Sequence, residues 1–218
     1  MPNLVFYTNP MSRARIARWM LEEVGEPYET VTLTYGPEMA SAAYRAVNPM
    51  AKVPALRHGG VVVTETAAIC AYLADIFPEK RLAPPAGDPR RGAYYRALFF
   101  SAGPVEAAST NASFGWAASS FREEARLGYG SQARVQDALE QILGAGPWLL
   151  GDAFSAADIY VAGQLTWLLQ FELFEKRPVF TEYVARATAR PAAIRARQID
   201  DALMAEAQAE EQAAGTGG

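Results

Sequence analysis

The chain is poor in the residues that do metal and nucleophilic chemistry. It has one cysteine, Cys70, and one histidine, His58, among 218 residues. A single thiol excludes an intrachain disulfide and suits a reducing compartment, so a cytoplasmic location is expected. The lack of a His/Cys cluster leaves no metal site to expect. A Ser-His-Asp hydrolase would need His58, but no G-x-S-x-G elbow is present, and His58 falls in a hairpin turn where it is expected to be exposed. No apolar run approaches a membrane span, so no membrane partner is expected. No cationic run stands out, and the net charge of -4 argues against a nucleic-acid partner. No charged-then-apolar leader is expected, since strand-like residues begin at Leu4. No internal repeat is visible. Half of the residues are hydrophobic and 20% are charged, which is normal for a soluble globular protein.

What is present is an ordered set of short elements. Leu4 to Tyr7 reads as a buried strand. Thr8 to Met11 is a loop, Ser12 is a natural N-cap, and Ile16, Trp19, Met20 and Val24 recur at helical spacing up to the stop at Gly25. On that helix Arg13, Arg15 and Arg18 are spaced along one edge. Tyr28 to Thr34 reads as a second strand, and Gly36-Pro37 opens a short helix ending near Val47. A hairpin follows, with Ala55 to Arg57 and Val61 to Thr64 joined by His58-Gly59-Gly60. A third helix runs from Glu65 or Thr66 to Phe77, and Cys70 is expected to pack on it.

From residue 79 to 88 the chain is rich in proline and aperiodic, which marks a linker. Beyond it everything reads as helical. A long helix from Pro89 to about Ser113 is expected to bend or break at Gly103-Pro104. A further helix from about Phe121 to Leu143 is expected to break near Gly128-Tyr129-Gly130. Phe154 to Ile159 is a helix start in which Ser155 and Asp158 can bond reciprocally. Helices over about 179–188 and 191–206 follow, and the tail is expected to be disordered. The expected organisation is therefore residues 1–78 as an α/β domain with order βαβαββα, 79–88 as linker, 89–207 as an all-helical domain and 208–218 as tail.

Asn48-Pro49-Met50-Ala51-Lys52-Val53-Pro54-Ala55-Leu56 is the stretch around which the first domain is arranged. Pro54 at a strand entrance has no N–H for the ladder. A cis Val53–Pro54 bond would turn the chain sharply and leave the N–H and C=O of Val53 free to pair with an extended peptide. About ten residues later a strand runs into a helix at Glu65-Thr66, where free N–H groups can receive a carboxylate. Together the two segments read as a receptor for a small acidic peptide.

A βαβ unit followed by a proline turn, a hairpin and a helix is the layout of a thioredoxin-like domain. The C-x-x-C of a thioredoxin is replaced here by Asn9-Pro10-Met11-Ser12, which rules out dithiol exchange. Pro10-x-Ser12, Asn48-Pro-x-x-Lys52-Val53-Pro54-Ala-Leu, Glu65-Thr66-x-x-Ile69, the proline-rich linker and Ser155-x-x-Asp158 occur in one order over nearly the whole length. In this the chain resembles the cytosolic glutathione S-transferases, especially bacterial members with a serine after the first strand. The resemblance implies a detoxifying transferase with glutathione as co-substrate and no metal. The main chain of Val53, beside Lys52 and Pro54, would hold the cysteinyl part, and Glu65 and Thr66 the γ-glutamyl end, through charge-assisted bonds.

Ser12 would keep the thiol ionised, with Tyr7 and Asn9 as rivals for that role. A free thiol has a pKa of ~8.5, and lowering it by about two units requires roughly 2.7 kcal/mol. Ser12 is at the same time a plain N-cap candidate. Met11, Phe114 and Trp116 would face an apolar electrophile, though core packing explains the two aromatics equally well. Met50 would sit at the interface of a homodimer. The family's catalytic cysteine and its basic residues in the second helix are absent, which leaves Lys52 or Arg13 to hold the glycine carboxylate. Two alternatives stay open: a glutathione-binding or regulatory protein with little turnover, and a glutathione-dependent reductase, peroxidase or isomerase.

Overall fold

A computed structural model of the chain describes residues 3–144 and 146–215. Residues 1–73 together with 189–218 form one compact unit, and 74–188 form a second. The first unit carries a four-stranded sheet in the order β2-β1-β3-β4. β1 (Leu4–Thr8) is parallel to β2 (Tyr28–Thr32) and antiparallel to β3 (Ala55–His58), which pairs antiparallel with β4 (Val61–Thr64). This is the mixed sheet of a thioredoxin-like domain. Leu4, Val5 and Phe6 are all buried, as expected of a central strand covered on both faces.

α1 (Ala14–Val24) buries the expected stripe of Ile16, Trp19, Met20 and Val24. It ends at Gly25, whose φ of 73° lets its N–H close on Leu21 C=O. The second helix is shorter than its sequence suggested. Gly36, with φ 102°, turns the chain, Glu38 accepts from both the N–H and the hydroxyl of Thr34 at 2.7 Å, and only α2 (Ala42–Arg45), capped by Ser41, is helical. The hairpin turn is tighter than expected, with Gly59-Gly60 alone between β3 and β4. His58 is not a free turn residue. It ends β3, and its Nδ1 lies 2.9 Å from the hydroxyl of Tyr72 on α3 (Thr66–Ile76).

The last helix, α10 (Pro191–Gly215), corrects two expectations. It runs past Ala207, so 208–215 are helical; residues 216–218 lie outside the described residues. It also belongs to the first unit, where it packs against α1. Arg18 explains why. Instead of lining an exposed helix edge it is 1% exposed, stacked over Phe6 and bonded through Nε to Asp200 on α10 at 2.7 Å. Burial pushes the Asp200 carboxyl up, opposed by the Arg18 charge. A buried pair of this kind gives little net stability but penalises any arrangement that separates it.

The second unit is helical. After a 3₁₀ turn over Pro78–Lys80 come α4 (Arg91–Phe100) and α5 (Glu106–Ser113), joined by a π-helical turn over Ser101–Val105. Pro104 supplies the reason: it has no N–H to donate, so the ladder slips and Glu106 N–H reaches back to Ser101 C=O. Gln164 Nε2 adds a second donor to that carbonyl at 3.2 Å. α6 (Phe121–Glu124) and α7 (Gln132–Leu143) are separate helices, with the chain turning at the expected Gly128–Gly130. α8 (Ala156–Gln170) is buried through most of its length, and α9 (Pro178–Thr188) packs on it.

Candidate functional site

Three segments of the first unit carry the residues singled out in the sequence. The turn before β3 contains a cis Val53–Pro54 bond. Its approach is fixed from below. Lys52 C=O accepts from the Tyr44 hydroxyl at 2.6 Å and from Asn48 Nδ2 at 2.7 Å, while Asn48 Oδ1 takes Met50 N–H at 3.0 Å. Ala51 holds φ 52°, a left-handed value that costs a residue with a side chain of the order of 1 kcal/mol. No main-chain bond of Val53 is found among the described residues. The Lys52 side chain is exposed.

The second segment is the start of α3. Glu65 also holds a left-handed φ, 65°, and its carbonyl accepts Ile69 N–H at 2.9 Å. Its carboxylate is exposed, with no partner found among the described residues, while Thr66 beside it is buried. Strained residues of this sort cluster at ligand clamps, and Ala51 and Glu65 lie near the same end of the β3–β4 pair, where Ala55 faces Thr64.

The third segment is the loop before α1. Ser12 is half-exposed; its hydroxyl donates to Asn9 C=O at 2.7 Å and accepts from Ala14 N–H at 3.1 Å. So Ser12 takes the first N–H of α1 from one residue outside the N-cap, which is Arg13, and its single proton is directed at a carbonyl. Asn9 is nearly buried, with Nδ2 on Leu33 C=O at 2.8 Å and Oδ1 taking Met11 N–H at 2.9 Å. Both of its polar atoms are used in joining two loops. Tyr7 packs its ring against Tyr44, 5.6 Å between centroids and tilted by 46°, and so supports the proline turn. Burial, with a contribution from Tyr7, pushes the Tyr44 hydroxyl up to about 12 and keeps it a donor to Lys52 C=O.

Met11 is exposed in the first unit. Phe114 and Trp116 belong to the second unit, where Phe114 is 83% exposed and Trp116 lines a cavity of about 100 Å³ with Ala112 and Tyr129. Core packing therefore does not account for Phe114. Cys70 is wholly buried and its thiol is pushed up to about 12 by burial, which leaves it without nucleophilic character. Among the described residues no group of three or more His, Cys, Asp or Glu could hold a metal ion, and no helix is long and apolar enough to cross a membrane.

Residues 10–76 match the glutathione S-transferase N-terminal domain and residues 127–186 the glutathione S-transferase C-terminal domain. The chain is 30% identical to glutathione S-transferase Z2 of Arabidopsis thaliana over 157 residues, covering 70% of this chain and 69% of that protein. It is 30% identical to maleylacetoacetate isomerase of Rattus norvegicus over 172 residues, covering 74% of each. The chain belongs to the glutathione S-transferase family. A solved transferase homologue from Sulfitobacter with bound glutathione superposes with a TM-score of 0.72 at 27% identity, covering 91% of this chain and 98% of that one. The fold expected of a transferase, a thioredoxin-like N-terminal domain and a helical C-terminal one, is thus the fold observed.

Several residues that build the candidate site had no structural role assigned to them from the sequence. Asn48 read only as a helix stop, although Asn before a turn is a known bonding partner of the backbone two residues on. Arg15 read as helix surface, yet its Nε reaches Pro10 C=O at 2.5 Å and its Nη1 reaches Asp201 at 2.8 Å. Tyr35 had no periodicity or motif to single it out. Its hydroxyl lies 3.4 Å from Met11 C=O and against the side chain of Ser12.

Proposed function

We propose that the chain binds glutathione along the edge formed by Val53 and the start of α3 and presents its thiolate to small apolar electrophiles. The observation that carries this reading is the turn before β3, which is pinned at Lys52 and leaves the main chain of Val53 without a bond among the described residues. Val53 would pair with the cysteinyl main chain, between Lys52 and Pro54. Thr66 N–H and hydroxyl would take the α-carboxylate and Glu65 the ammonium. Lys52, exposed beside the turn, is the proposed partner of the glycine carboxylate.

Ser12 is the proposed thiolate donor. Its proton would swing from Asn9 C=O to the sulfur, exchanging a neutral bond worth about 0.5–1.5 kcal/mol for a charge-assisted one of about 1.5–3. The net gain is about 1 kcal/mol, and the N-terminus of α1 adds about 0.3–1 kcal/mol. This falls short of the ~2.7 kcal/mol that a two-unit lowering of the thiol pKa requires. Asn9, with both polar atoms engaged, is better read as the tie that positions this loop. Tyr7 is better read as support for Tyr44.

Met11 would supply apolar surface beside the sulfur. Phe114 and Trp116 on the second unit are proposed electrophile contacts. Glutathione-affinity retention and calorimetry test the binding, and a panel of electrophiles and peroxides assayed with and without glutathione tests the reaction. Failure to bind glutathione at millimolar concentration would overturn the reading.

The named isomerase among the relatives favours a second reaction on the same site. In it the thiolate adds to a double bond, rotation follows, and the thiolate leaves again. Isomerisation returns glutathione unchanged, whereas conjugation consumes it, so a thiol count after turnover separates the two. We also propose a homodimer using the edge strand β4, where Val61 and Val62 are exposed, together with Met50 at 69% exposure. Light scattering of wild type against Met50→Lys tests that assembly. A cytoplasmic detoxifying role follows from the transferase reading.

A further inference from the structure

We infer that Tyr35 is a second catalytic hydroxyl, a donor to the sulfur that Ser12 alone leaves insufficiently stabilised. The inference rests on the glutathione reading above.

The loop that carries Tyr35 is built to hold it there. Leu33 N–H bonds Thr8 C=O at 2.9 Å, and Leu33 C=O takes Asn9 Nδ2 at 2.8 Å. On the other side Glu38 grips Thr34 by its N–H and hydroxyl, each at 2.7 Å. Gly36, at φ 102°, turns the chain directly after Tyr35. Asn9 therefore binds the loop of Ser12 and the loop of Tyr35 to each other, and the two hydroxyls meet at the start of α1.

The two hydroxyls differ in how free they are. Ser12 directs its only proton to Asn9 C=O at a short 2.7 Å. Tyr35 has a long contact of 3.4 Å to Met11 C=O beside its interaction with Ser12, and its side chain is in large part open to solvent at 54% exposure. A phenol proton so loosely held is available to an arriving thiolate at little cost. Burial of the hydroxyl end raises the Tyr35 pKa, opposed by its bonding to Ser12, so the group stays protonated at neutral pH and acts as donor, not base.

The test uses Tyr35→Phe, which keeps the ring and removes the hydroxyl. Glutathione affinity is measured by calorimetry, and the pKa of the bound thiol by ultraviolet thiolate absorbance against pH. The expected result is nearly unchanged affinity, a thiol pKa raised by about one unit, and about threefold less thiolate at neutral pH. The pH profile of conjugation should move to higher pH by the same amount, with the rate recovered in the alkaline limit. A double variant with Ser12→Ala should raise the thiol pKa beyond either single change. Wild-type thiol titration in a folded Tyr35→Phe that binds glutathione would overturn the inference and leave the binding reading intact. Absence of glutathione binding by wild type would overturn both.

Discussion

The serines at the starts of α1 and α8 both bond the nearby main chain, yet they are built to opposite ends. At the start of α8, Ser155 and Asp158 are buried. Asp158 Oδ2 accepts from Ser155 N–H at 2.9 Å and from its hydroxyl at 2.8 Å, and Oδ1 accepts from Leu149 N–H and the Tyr183 hydroxyl at 2.8 Å each. Four donors converge on one carboxylate, and little capacity remains for a ligand. At the start of α1, Ser12 is half-exposed, no acidic residue follows in the first turn, and a loosely held tyrosine hydroxyl stands alongside. The first is a folding signal that closes a loop onto a helix. The second leaves the positive end of a helix open, as an anion site requires. The same residue type serves stability where its partners are internal, and chemistry where they are left to come from outside.

The largest expected separation between the two starts is in stability. Asp158→Ala leaves four buried donors without an acceptor and should lower the unfolding free energy by about 3–5 kcal/mol, read from the denaturant midpoint. Ser12→Ala, which removes a half-exposed cap, should cost about 1 kcal/mol or less. Equal losses in the two variants would erase the distinction.

Next comes thiol chemistry. With glutathione bound, Ser12→Ala should raise the thiol pKa by about one unit, reducing thiolate about threefold at neutral pH. Ser155→Ala should shift stability by about 1–2 kcal/mol and leave that titration where it was.

A smaller effect is the pH dependence of the α8 start. Burial raises the Asp158 carboxyl against the pull of its donors, so the folded chain binds that proton more tightly than the unfolded one. Stability from this group is therefore highest below the unfolded value of about 3.9 and declines as pH rises from there to the raised folded value, staying level beyond it. The difference in unfolding free energy between wild type and Asp158→Asn should shrink across that interval. A constant difference would mean that the four donors fully offset desolvation.

The smallest expected signal concerns the chain's own thiol. Cys70, pushed up to about 12 and wholly buried, should resist alkylation at neutral pH in the folded protein and react only in denaturant. Rapid labelling of the native chain would show that α3 opens readily.

Much of the fold was legible because its signals are local. The stripe of Ile16, Trp19, Met20 and Val24, the Gly25 stop and the Ser155–Asp158 spacing each lie within a few residues, and each formed as read. The second helix was misjudged because an alanine-rich run carries helical propensity, while the Glu38–Thr34 bonds and the Gly36 turn that compete with it use the same residues. The break at Pro104 was anticipated. Its resolution as a π turn with Gln164 on Ser101 C=O was not, since that donor comes from another helix.

By itself, then, the sequence determined the order of strands and helices, the proline corner, and which serines begin helices, because side-chain period and backbone propensity act over one or two turns. Only the tertiary structure decided that Arg18 is buried against Asp200, 182 positions away, that α10 returns to α1, and that Tyr35 stands over Ser12. The reason is that a buried charge or a hydroxyl takes its meaning from a partner brought to it by the fold, and residues so far apart along the chain leave no periodic trace of one another.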